Sequence, residues 1–471
     1  MREKTRSVFH HAKIKARSND IKNKNRLMTQ LLKLLQRHKK TLKSLSLLML
    51  TLITSGCINT GAFRSDYSGI CSYQGENACA TSGMTKSAAT STSANTTYQL
   101  HFVEFDDQGA VYSTANKKTV MNQLRTLTNA PKPTLLVTYI HGWNHNANGD
   151  DEDGDIIKLR QVLSRLAKEN PAQQVVGVYL GWHGRRFPWY LNHLLTFWDR
   201  KQTAHQVGRN GMITTLLELE DIVKHQSPNN TMVTIGHSFG GAALFSSIQS
   251  ILAERYIQSR PFNTTNAVAG FGDLVVLINP AFEAMLYHSL YDLSQDECRA
   301  YPAYQPPRLM LLSAVEDLAV RWTFPIGRIP NVLFETHETT TAKYCRPFNS
   351  KATNNQANHH LVKEWRADMT GIGHYDSYVT HFLNRIDNCQ YSENKSQTMP
   401  DDTMNTITQN ESTMVGPCLE LTSKNRVQRN NPYMNIFTED GIMEGHNDIW
   451  QPELMDFIFR AIDSRAKATV K

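Results

Sequence analysis

A mostly parallel α/β fold is predicted for the larger part of this chain by three features of the sequence. β-type runs alternate with helical ones, one β-type run breaks at two glycines around a serine, and the tract after that serine has the 3.6-residue apolar spacing of a packed helix. Strands that alternate with helices form a mostly parallel sheet with helices on both faces, and ligands bind beyond its carboxyl-terminal edge.

The elements follow one another in a regular order. The apolar patterns predict strands at 98–105, 134–140, 174–180, 232–235, 274–278, 308–313 and 433–437, and helices at 119–127, 156–168, 243–256 and 452–462. The 471 residues are 40% apolar and 20% charged, which excludes disorder throughout and allows one large domain or two smaller ones.

The positive charge of the chain is concentrated at its N-terminus. Residues 1–56 contain fourteen Lys or Arg and two acidic residues, so the net charge of +7 for the whole chain leaves −5 for residues 57–471. The excess of basic over acidic residues therefore belongs to a leader. We expect no nucleic-acid partner for the folded part. A start of translation at Met28 would give a leader of ordinary length, and residues 1–27 would then not belong to the protein.

The leader has the layout of a targeting signal. A Lys/Arg-rich segment precedes the apolar run 45–53, which is too short to span a bilayer, and small residues then precede Cys57. This arrangement resembles the signal of bacterial lipoproteins, which implies acylation of Cys57 and a lipid-anchored protein of the bacterial cell envelope facing the periplasm or the exterior. A plain secretory signal and a tethered helix are the alternatives.

Residues 57–97 are rich in Ser, Thr, Gly and Ala, and we interpret them as a flexible tether before a folded body at 98–471. Six cysteines remain besides Cys57, which suggests up to three disulfides in an exported chain. The pair Cys71 and Cys79 is the nearest in sequence. Polar stretches predict insertions at about 326–372 and 390–430, before the last strand. The six cysteines are Cys71, Cys79, Cys298, Cys345, Cys389 and Cys418.

The strand, glycine, serine, glycine and helix pattern predicts a nucleophile elbow centred on Ser238. Gly236 and Gly240 flank it, as a sharp strand-to-helix turn requires where backbones approach closely. The alternative is an ordinary glycine-rich turn between a strand and a helix, with no catalytic role. A glycine-containing loop follows the strand 134–140 and can aim a backbone N–H at a developing oxyanion, so the N–H groups of Trp143 and Phe239 are the oxyanion-hole candidates.

The His141-Gly142-Trp143 loop, the Ser238 pentapeptide, an acid after a later strand and a histidine near the end resemble the α/β-hydrolase superfamily over residues 98–471. The resemblance implies the chain order nucleophile, acid, histidine. His141 precedes the serine and is interpreted as structural.

Asp317 follows the strand 308–313 and is the favoured acid, with Glu316 next, Asp273 and Glu283 weaker, and a helix cap or a surface ion pair as the structural alternative. His446 lies between the last strand and the last helix, where the superfamily has its base. His374 is the competitor, but a helix-like pattern at 378–386 follows it and favours a capping or core role.

The acidic run 150–155 is better explained as the start of a helix than as a calcium loop, and we expect no metal. Nucleotide-binding motifs do not occur, and we expect no cofactor. An aromatic group predicts either core packing or, less readily, an acyl-chain pocket. It consists of Trp182, Phe187, Trp189, Tyr190, Phe197 and Trp198.

Together these features predict a serine hydrolase that cleaves carboxylic esters, of lipids or short acyl groups, through an acyl-enzyme. Two alternatives stay open. One is a non-catalytic envelope module for binding or assembly on the same fold, and the other is a thioesterase or peptidase of the superfamily.

Overall fold

The structure is a computed structural model of the chain, which divides into two compact units, Met1–Asn59 and Thr60–Lys471. The first unit, with Cys57, lies outside the described residues. Within the second, the structure describes residues 61–64, 71–74, 97–148, 153–184, 197–259, 266–295, 301–317, 320–321, 328, 335–337, 339–343, 359–391, 412–424, 427, 429–439 and 441–470.

An eleven-stranded sheet forms the centre of the described fold, in the order β1-β2-β4-β3-β5-β6-β7-β13-β10-β12-β11. The strands from β2 to β10 in this order are parallel to their neighbours, whereas β1, β12 and β11 pair antiparallel at the two ends. The strands are β1 (Cys71–Gln74), β2 (Thr97–Phe105), β3 (Thr134–Ile140), β4 (Gln174–Trp182), β5 (Thr231–His237), β6 (Leu274–Ile278), β7 (Leu309–Ala314), β10 (His381–Arg385), β11 (Ser412–Gly416), β12 (Leu419–Ser423) and β13 (Tyr433–Thr438).

Helices cover both faces of this sheet. Alternate residues of a strand point to opposite faces, and accordingly Leu136 and Leu135 of β3 belong to two separate apolar cores. The first core contains residues of α1, α3, α4, α5 and α6, and the second contains residues of α2 and α8. The helices are α1 (Thr114–Thr128), α2 (Gly154–Glu169), α3 (Phe197–Val207), α4 (Ile213–Gln226), α5 (Phe239–Gln258), α6 (Ala284–Ser294), α7 (Glu364–Met369) and α8 (Pro452–Val470).

The mostly parallel α/β architecture predicted from sequence is confirmed. All seven predicted strands are present and agree with the structure to within two residues at each end. The helix-like interpretation of 378–386 is wrong, because a short 3₁₀ turn, Asp376–Tyr378, ends where this stretch begins and strand β10 follows. Leu383 of β10 is buried, and its neighbours Phe382 and Asn384 are half-exposed, which is the alternation of a strand.

The long stretch between β7 and β13 adds strands in two places. β8 (Thr339–Lys343) and β9 (His359–Lys363) form a separate antiparallel pair, whereas β10, β12 and β11 continue the main sheet beyond β13. A disulfide joins Cys389, after β10, to Cys418, at the turn between β11 and β12. Cys79, Cys298 and Cys345 lie outside the described residues, as does the side chain of Cys71.

Two pieces of the segment predicted as a tether belong to the fold. β1 pairs with β2, and the backbone N–H groups of Phe63 and Arg64 donate to the carboxylate of Glu104 at 3.0 and 2.6 Å. The guanidinium of Arg64 also lies 3.9 Å from the ring centroid of Phe102. The prediction of a flexible tether therefore does not hold for residues 61–64 and 71–74. Among the described residues, no helix combines the length and apolar composition that a bilayer span requires.

Candidate active site

Ser238 lies at a tight turn between β5 and α5, with φ 54° and ψ −121°. A positive φ is uncommon outside glycine and is strained, so surrounding contacts must hold it. The Ser238 N–H donates to the carbonyl of Ile278 at 3.0 Å, and its own carbonyl accepts from the N–H of Ala281 at 3.1 Å. The end of β6 and the residues after it thus fix the backbone of the serine.

The glycines around Ser238 are required by close packing. A Cβ on Gly240 would lie 2.3 Å from the carbonyl oxygen of Ile140, and one on Gly236 would lie 2.9 Å from Cα of Gly241. A Cβ on Gly142 would lie 2.9 Å from Cβ of Ser238. The loop after β3, the end of β5 and the first turn of α5 therefore converge on the serine.

The structure brings Ser238, His446 and Asp317 together in one chain of hydrogen bonds. Ser238 Oγ lies 2.6 Å from His446 Nε2, and His446 Nδ1 lies 2.7 Å from Asp317 Oδ2. A carboxylate can only accept, so Nδ1 carries a proton and Nε2 is free to accept from the serine hydroxyl. Asp317 is buried, and its other oxygen accepts from the N–H of Val320 at 3.0 Å.

All three side chains follow strands of the parallel block. Ser238 follows β5, Asp317 follows β7, and His446 follows β13, which pairs with β7. Parallel strands end at the same edge, so residues more than 200 positions apart meet there.

The competing acids take other positions. Glu316 is exposed, and Asp317 is the residue turned to the imidazole. The carboxylate of Asp273 receives hydrogen bonds from Lys224 Nζ at 2.9 and 3.0 Å and lies just before β6, at the opposite edge. Glu283 forms a buried ion pair with Lys201.

The competing histidines do not hydrogen-bond to the serine hydroxyl, and His141 is buried whereas His374 is half-buried. His141 donates from Nδ1 to the carbonyl of Gly142 at 2.9 Å, and its Nε2 accepts from the N–H of Trp182 at 3.0 Å. Burial lowers the pKa of His141 to about 4, so the ring stays neutral and shapes the loop. Burial also lowers the pKa of His374, whose ring meets Phe437 edge-on. Among the described residues, the side-chain hydrogen-bond partner of Ser238 Oγ is His446.

The oxyanion-hole candidates flank the serine. Phe239 is the first residue of α5, so no residue of the helix accepts its N–H, and the positive end of the helix dipole lies there. Trp143 follows Gly142, which packs against Ser238. The ring centroids of Trp143 and Phe239 are 6.2 Å apart.

Three aromatic rings pack together beside the elbow. The ring of Phe197 lies 5.3 Å from that of Trp143 and 5.1 Å from that of Phe239. Trp182, from the predicted aromatic group, is instead core, stacked on His141. Phe187, Trp189 and Tyr190 lie outside the described residues, as does the side chain of Trp198. Sequence reasoning placed Phe197 in this group but not the side chains of Trp143 and Phe239.

Asn279 is a residue of the site that sequence reasoning missed. It has φ 43°, and its Nδ2 donates to the backbone carbonyl of His446 at 3.0 Å while its Oδ1 accepts from the N–H of Ala314 at 2.8 Å. The side chain thus joins the end of β7 to the histidine loop. An Asn directly after a buried strand, before Pro280, was the available signal.

A cleft of about 760 Å³ lies along α3, on the side of Glu283. Its walls contain none of Ser238, Asp317 and His446. The lining residues are Lys201, Gln202, His205, Gln206, Arg209, Asn210, Glu283, Leu286, Arg328 and Asp368.

Two groups of side chains have the composition of metal ligands among the described residues. One is His145, Asp155 and His237, and the other is Glu335, His337 and Asp368. In the acidic run, Asp153 accepts from the N–H of Asp155 at 3.0 Å as the N-cap of α2, in agreement with the predicted helix start. Residues 150–152 lie outside the described part.

Comparison with protein-family models, with curated proteins and with solved structures finds no match to this chain.

Proposed function

We propose that this protein is a serine hydrolase of the α/β-hydrolase superfamily that cleaves carboxylic esters through an acyl-enzyme. The observation that carries the proposal is the continuous relay from Ser238 Oγ to His446 at 2.6 Å and from His446 to Asp317 at 2.7 Å. The strained φ of the serine adds support, because strain at a nucleophile turn is maintained only by a structure that over-determines it.

Acylation begins when Ser238 Oγ attacks the ester carbonyl carbon and His446 Nε2 takes the hydroxyl proton. The carbonyl oxygen becomes an oxyanion, which the N–H groups of Trp143 and Phe239 stabilise. Asp317 stabilises the imidazolium that forms. His446 then gives the proton to the leaving oxygen, the C–O bond breaks, and the alcohol departs.

Deacylation repeats these steps with water as the nucleophile. His446 takes a proton from water, the hydroxide attacks the acyl carbon, and the proton passes to Ser238 Oγ as the carboxylic acid leaves. The aromatic rings of Trp143, Phe197 and Phe239 beside the elbow favour an apolar acyl group, of a lipid or a shorter ester, as the substrate.

A fluorophosphonate probe tests the proposal. It should label the purified protein, and Ser238→Ala should abolish the label. Ser246→Ala is the matched control, because Ser246 Oγ also bonds a histidine, His205 Nδ1 at 2.7 Å, but lies inside α5 rather than at the elbow. Ser246→Ala should label normally. Folded wild-type protein that does not label would instead support a binding or assembly module.

The bond type is tested with p-nitrophenyl esters of increasing acyl length, matched thioesters and aminoacyl amides. We expect the highest kcat/KM for esters. A higher kcat/KM for amides or thioesters would support the peptidase or thioesterase alternative.

The location of the protein in the cell envelope is also a proposal. Cys57, with small residues before it and a basic and apolar leader, supports a lipid-anchored envelope protein whose partners are the membrane and an ester or lipid substrate. Metabolic labelling with an alkyne fatty acid should mark the wild type, and Cys57→Ser should remove the mark. A label that persists in Cys57→Ser would contradict lipidation at this residue.

A further inference from the structure

Three side chains with metal-binding atoms converge directly behind the catalytic group. His145 comes from the loop after β3, Asp155 from the first turn of α2, and His237 from the last position of β5. One ligand atom of each lies within 4.8 Å of the ligand atoms of the other two. The cluster does not include Ser238, Asp317 or His446.

His237 has a buried nitrogen that no described group satisfies. Its Nε2 lies 3.1 Å from the backbone carbonyl of His446, and a carbonyl can only accept, so Nε2 carries the proton. Nδ1 then has the lone pair, and it is buried with no hydrogen-bond partner among the described residues. The residue is 1% exposed, and leaving such an acceptor unsatisfied costs free energy that a bound ligand would offset.

His145 is oriented by a carboxylate. Its Nδ1 lies 2.7 Å from Asp153 Oδ1. With Asp153 Oδ1 accepting from Nδ1–H, a neutral His145 has its lone pair on Nε2. Metal-binding histidines characteristically donate their other ring N–H to a carboxylate or a backbone carbonyl. His145 donates to the carboxylate of Asp153, and His237 donates to the backbone carbonyl of His446.

Asp155 is held by two neutral donors. Its Oδ2 accepts from the Tyr139 hydroxyl at 2.8 Å and its Oδ1 from Trp450 Nε1 at 3.2 Å. Each carboxylate oxygen can accept more than one bond, so both retain capacity for a cation. Tyr139 and Trp450 thereby orient the carboxylate, as residues that hydrogen-bond to metal ligands do in metal sites.

We propose that His145, Asp155 and His237 form a zinc site that stabilises the fold behind the catalytic group. Two imidazole nitrogens and one carboxylate oxygen are a donor set that suits Zn²⁺, whereas Ca²⁺ and Mg²⁺ prefer oxygen alone. A fourth position would be taken by water. Through His237 and Trp450 the ion would hold the segment that contains His446, without taking part in acyl transfer.

The second group of potential ligands is less suited to a cation. Arg328 places its guanidinium 2.5 Å from Asp368 Oδ2 and 3.2 Å from Glu335 Oε2, so a positive charge already occupies the space between the carboxylates. His337 of this group therefore provides a matched control for the proposed site.

The test uses the full chain, freed of metal with a chelator and titrated with ZnCl₂. We expect one Zn²⁺ per chain by elemental analysis, a higher melting temperature with Zn²⁺, and visible absorption bands of tetrahedral Co²⁺ when cobalt replaces zinc. His145→Ala and His237→Ala should each weaken binding by about 100-fold or more and abolish the cobalt bands. His337→Ala should bind as the wild type does.

His145 is partly exposed, and His145→Gln gives a second variant that should keep the fold. Folded wild-type protein that binds no Zn²⁺, or binding that survives in the His145 variants and is lost in His337→Ala, would overturn the proposal. None of these measurements depends on ester hydrolysis, so failure of the zinc site is distinguishable from failure of the proposed activity.

Discussion

The side-chain amide of Asn279 donates to the backbone carbonyl of His446 at 3.0 Å, which fixes the proposed base from behind. The same carbonyl accepts from His237 Nε2, and the carbonyl of Gly445 lies 3.3 Å from the same amide nitrogen. The loop that contains His446 is therefore held through its backbone as well as through the imidazole. A base on a loop needs such support, because misplacement by about 1 Å can cost about 100-fold in rate.

Asn279→Asp should lower kcat by about tenfold or more with a smaller change in KM. The carboxylate retains the acceptor for the N–H of Ala314 and tolerates the positive φ, but it cannot donate to the carbonyl of His446 and repels it. Steady-state kinetics on a p-nitrophenyl ester measures the effect. Asn388→Asp, at an exposed position with φ 58°, should keep wild-type kinetics. Equal losses in both variants would contradict a positioning role for Asn279.

Asp317→Asn should reduce kcat by about 10⁴-fold, because the amide favours the wrong imidazole tautomer and cannot stabilise the imidazolium. Glu316→Gln, one residue away and exposed, should leave kcat within about twofold of the wild type. Thermal melting should show both variants folded. The assignment of the acid would be reversed if Glu316→Gln were the damaging change.

Gly142→Ala should decrease kcat/KM by about 100-fold. Its Cβ would lie 2.9 Å from Cβ of Ser238 and 3.0 Å from Nδ1 of His237, so the nucleophile or the loop with Trp143 must shift. Gly445→Ala is the control, because a Cβ there meets nothing within 4 Å. Ester kinetics and fluorophosphonate labelling rates should separate the two variants, and equal activity would show that this close approach has no role in catalysis.

The free energy of unfolding should fall as pH decreases from 6.5 towards 4. Burial lowers the pKa of His101 and of His381 to about 4, so between 6.5 and 4 the unfolded chain takes up protons that the folded chain does not. Stability is complete above pH 6.5 and decreases below it. Each residue should contribute a loss of about 2 kcal/mol between pH 7.5 and 5.

Urea unfolding at these two pH values measures the loss. His101→Gln should reduce the difference between them, whereas His225→Gln should not, because the His225 side chain is 83% exposed. A pH difference that is unaltered in His101→Gln would exclude this origin.

Local sequence signals predicted seven of the eleven strands of the sheet and the chain order of the candidate site. Ser238 was predicted because a strand, two glycines and a helix must occur together at such a turn, and Asp317 and His446 were predicted because each follows a strand. Glu316 stayed a competitor since two consecutive acids after a strand differ only in which one faces inward. That direction depends on packing, which the sequence alone does not reveal.

Other features depend on contacts that are distant along the chain. The stretch 378–386 has an apolar spacing compatible with a helix, and its pairing with β13 and β12 determines that it is a strand. His145, Asp155 and His237 lie in three separate elements of the chain, so local patterns could not predict their convergence. The docking of residues 61–64 through Arg64 was likewise hidden, because the neighbouring composition is that of a linker.

The position of β13 between β7 and β10 has a consequence for synthesis on the ribosome. Strands β10, β12 and β11 precede β13 in sequence but reach the main sheet only through it. Until residues 433–438 have emerged, the nascent polypeptide has two unfilled sheet edges, which are sites of mispairing between chains. Premature termination before residue 433 would therefore yield an aggregation-prone product rather than a shortened folded chain.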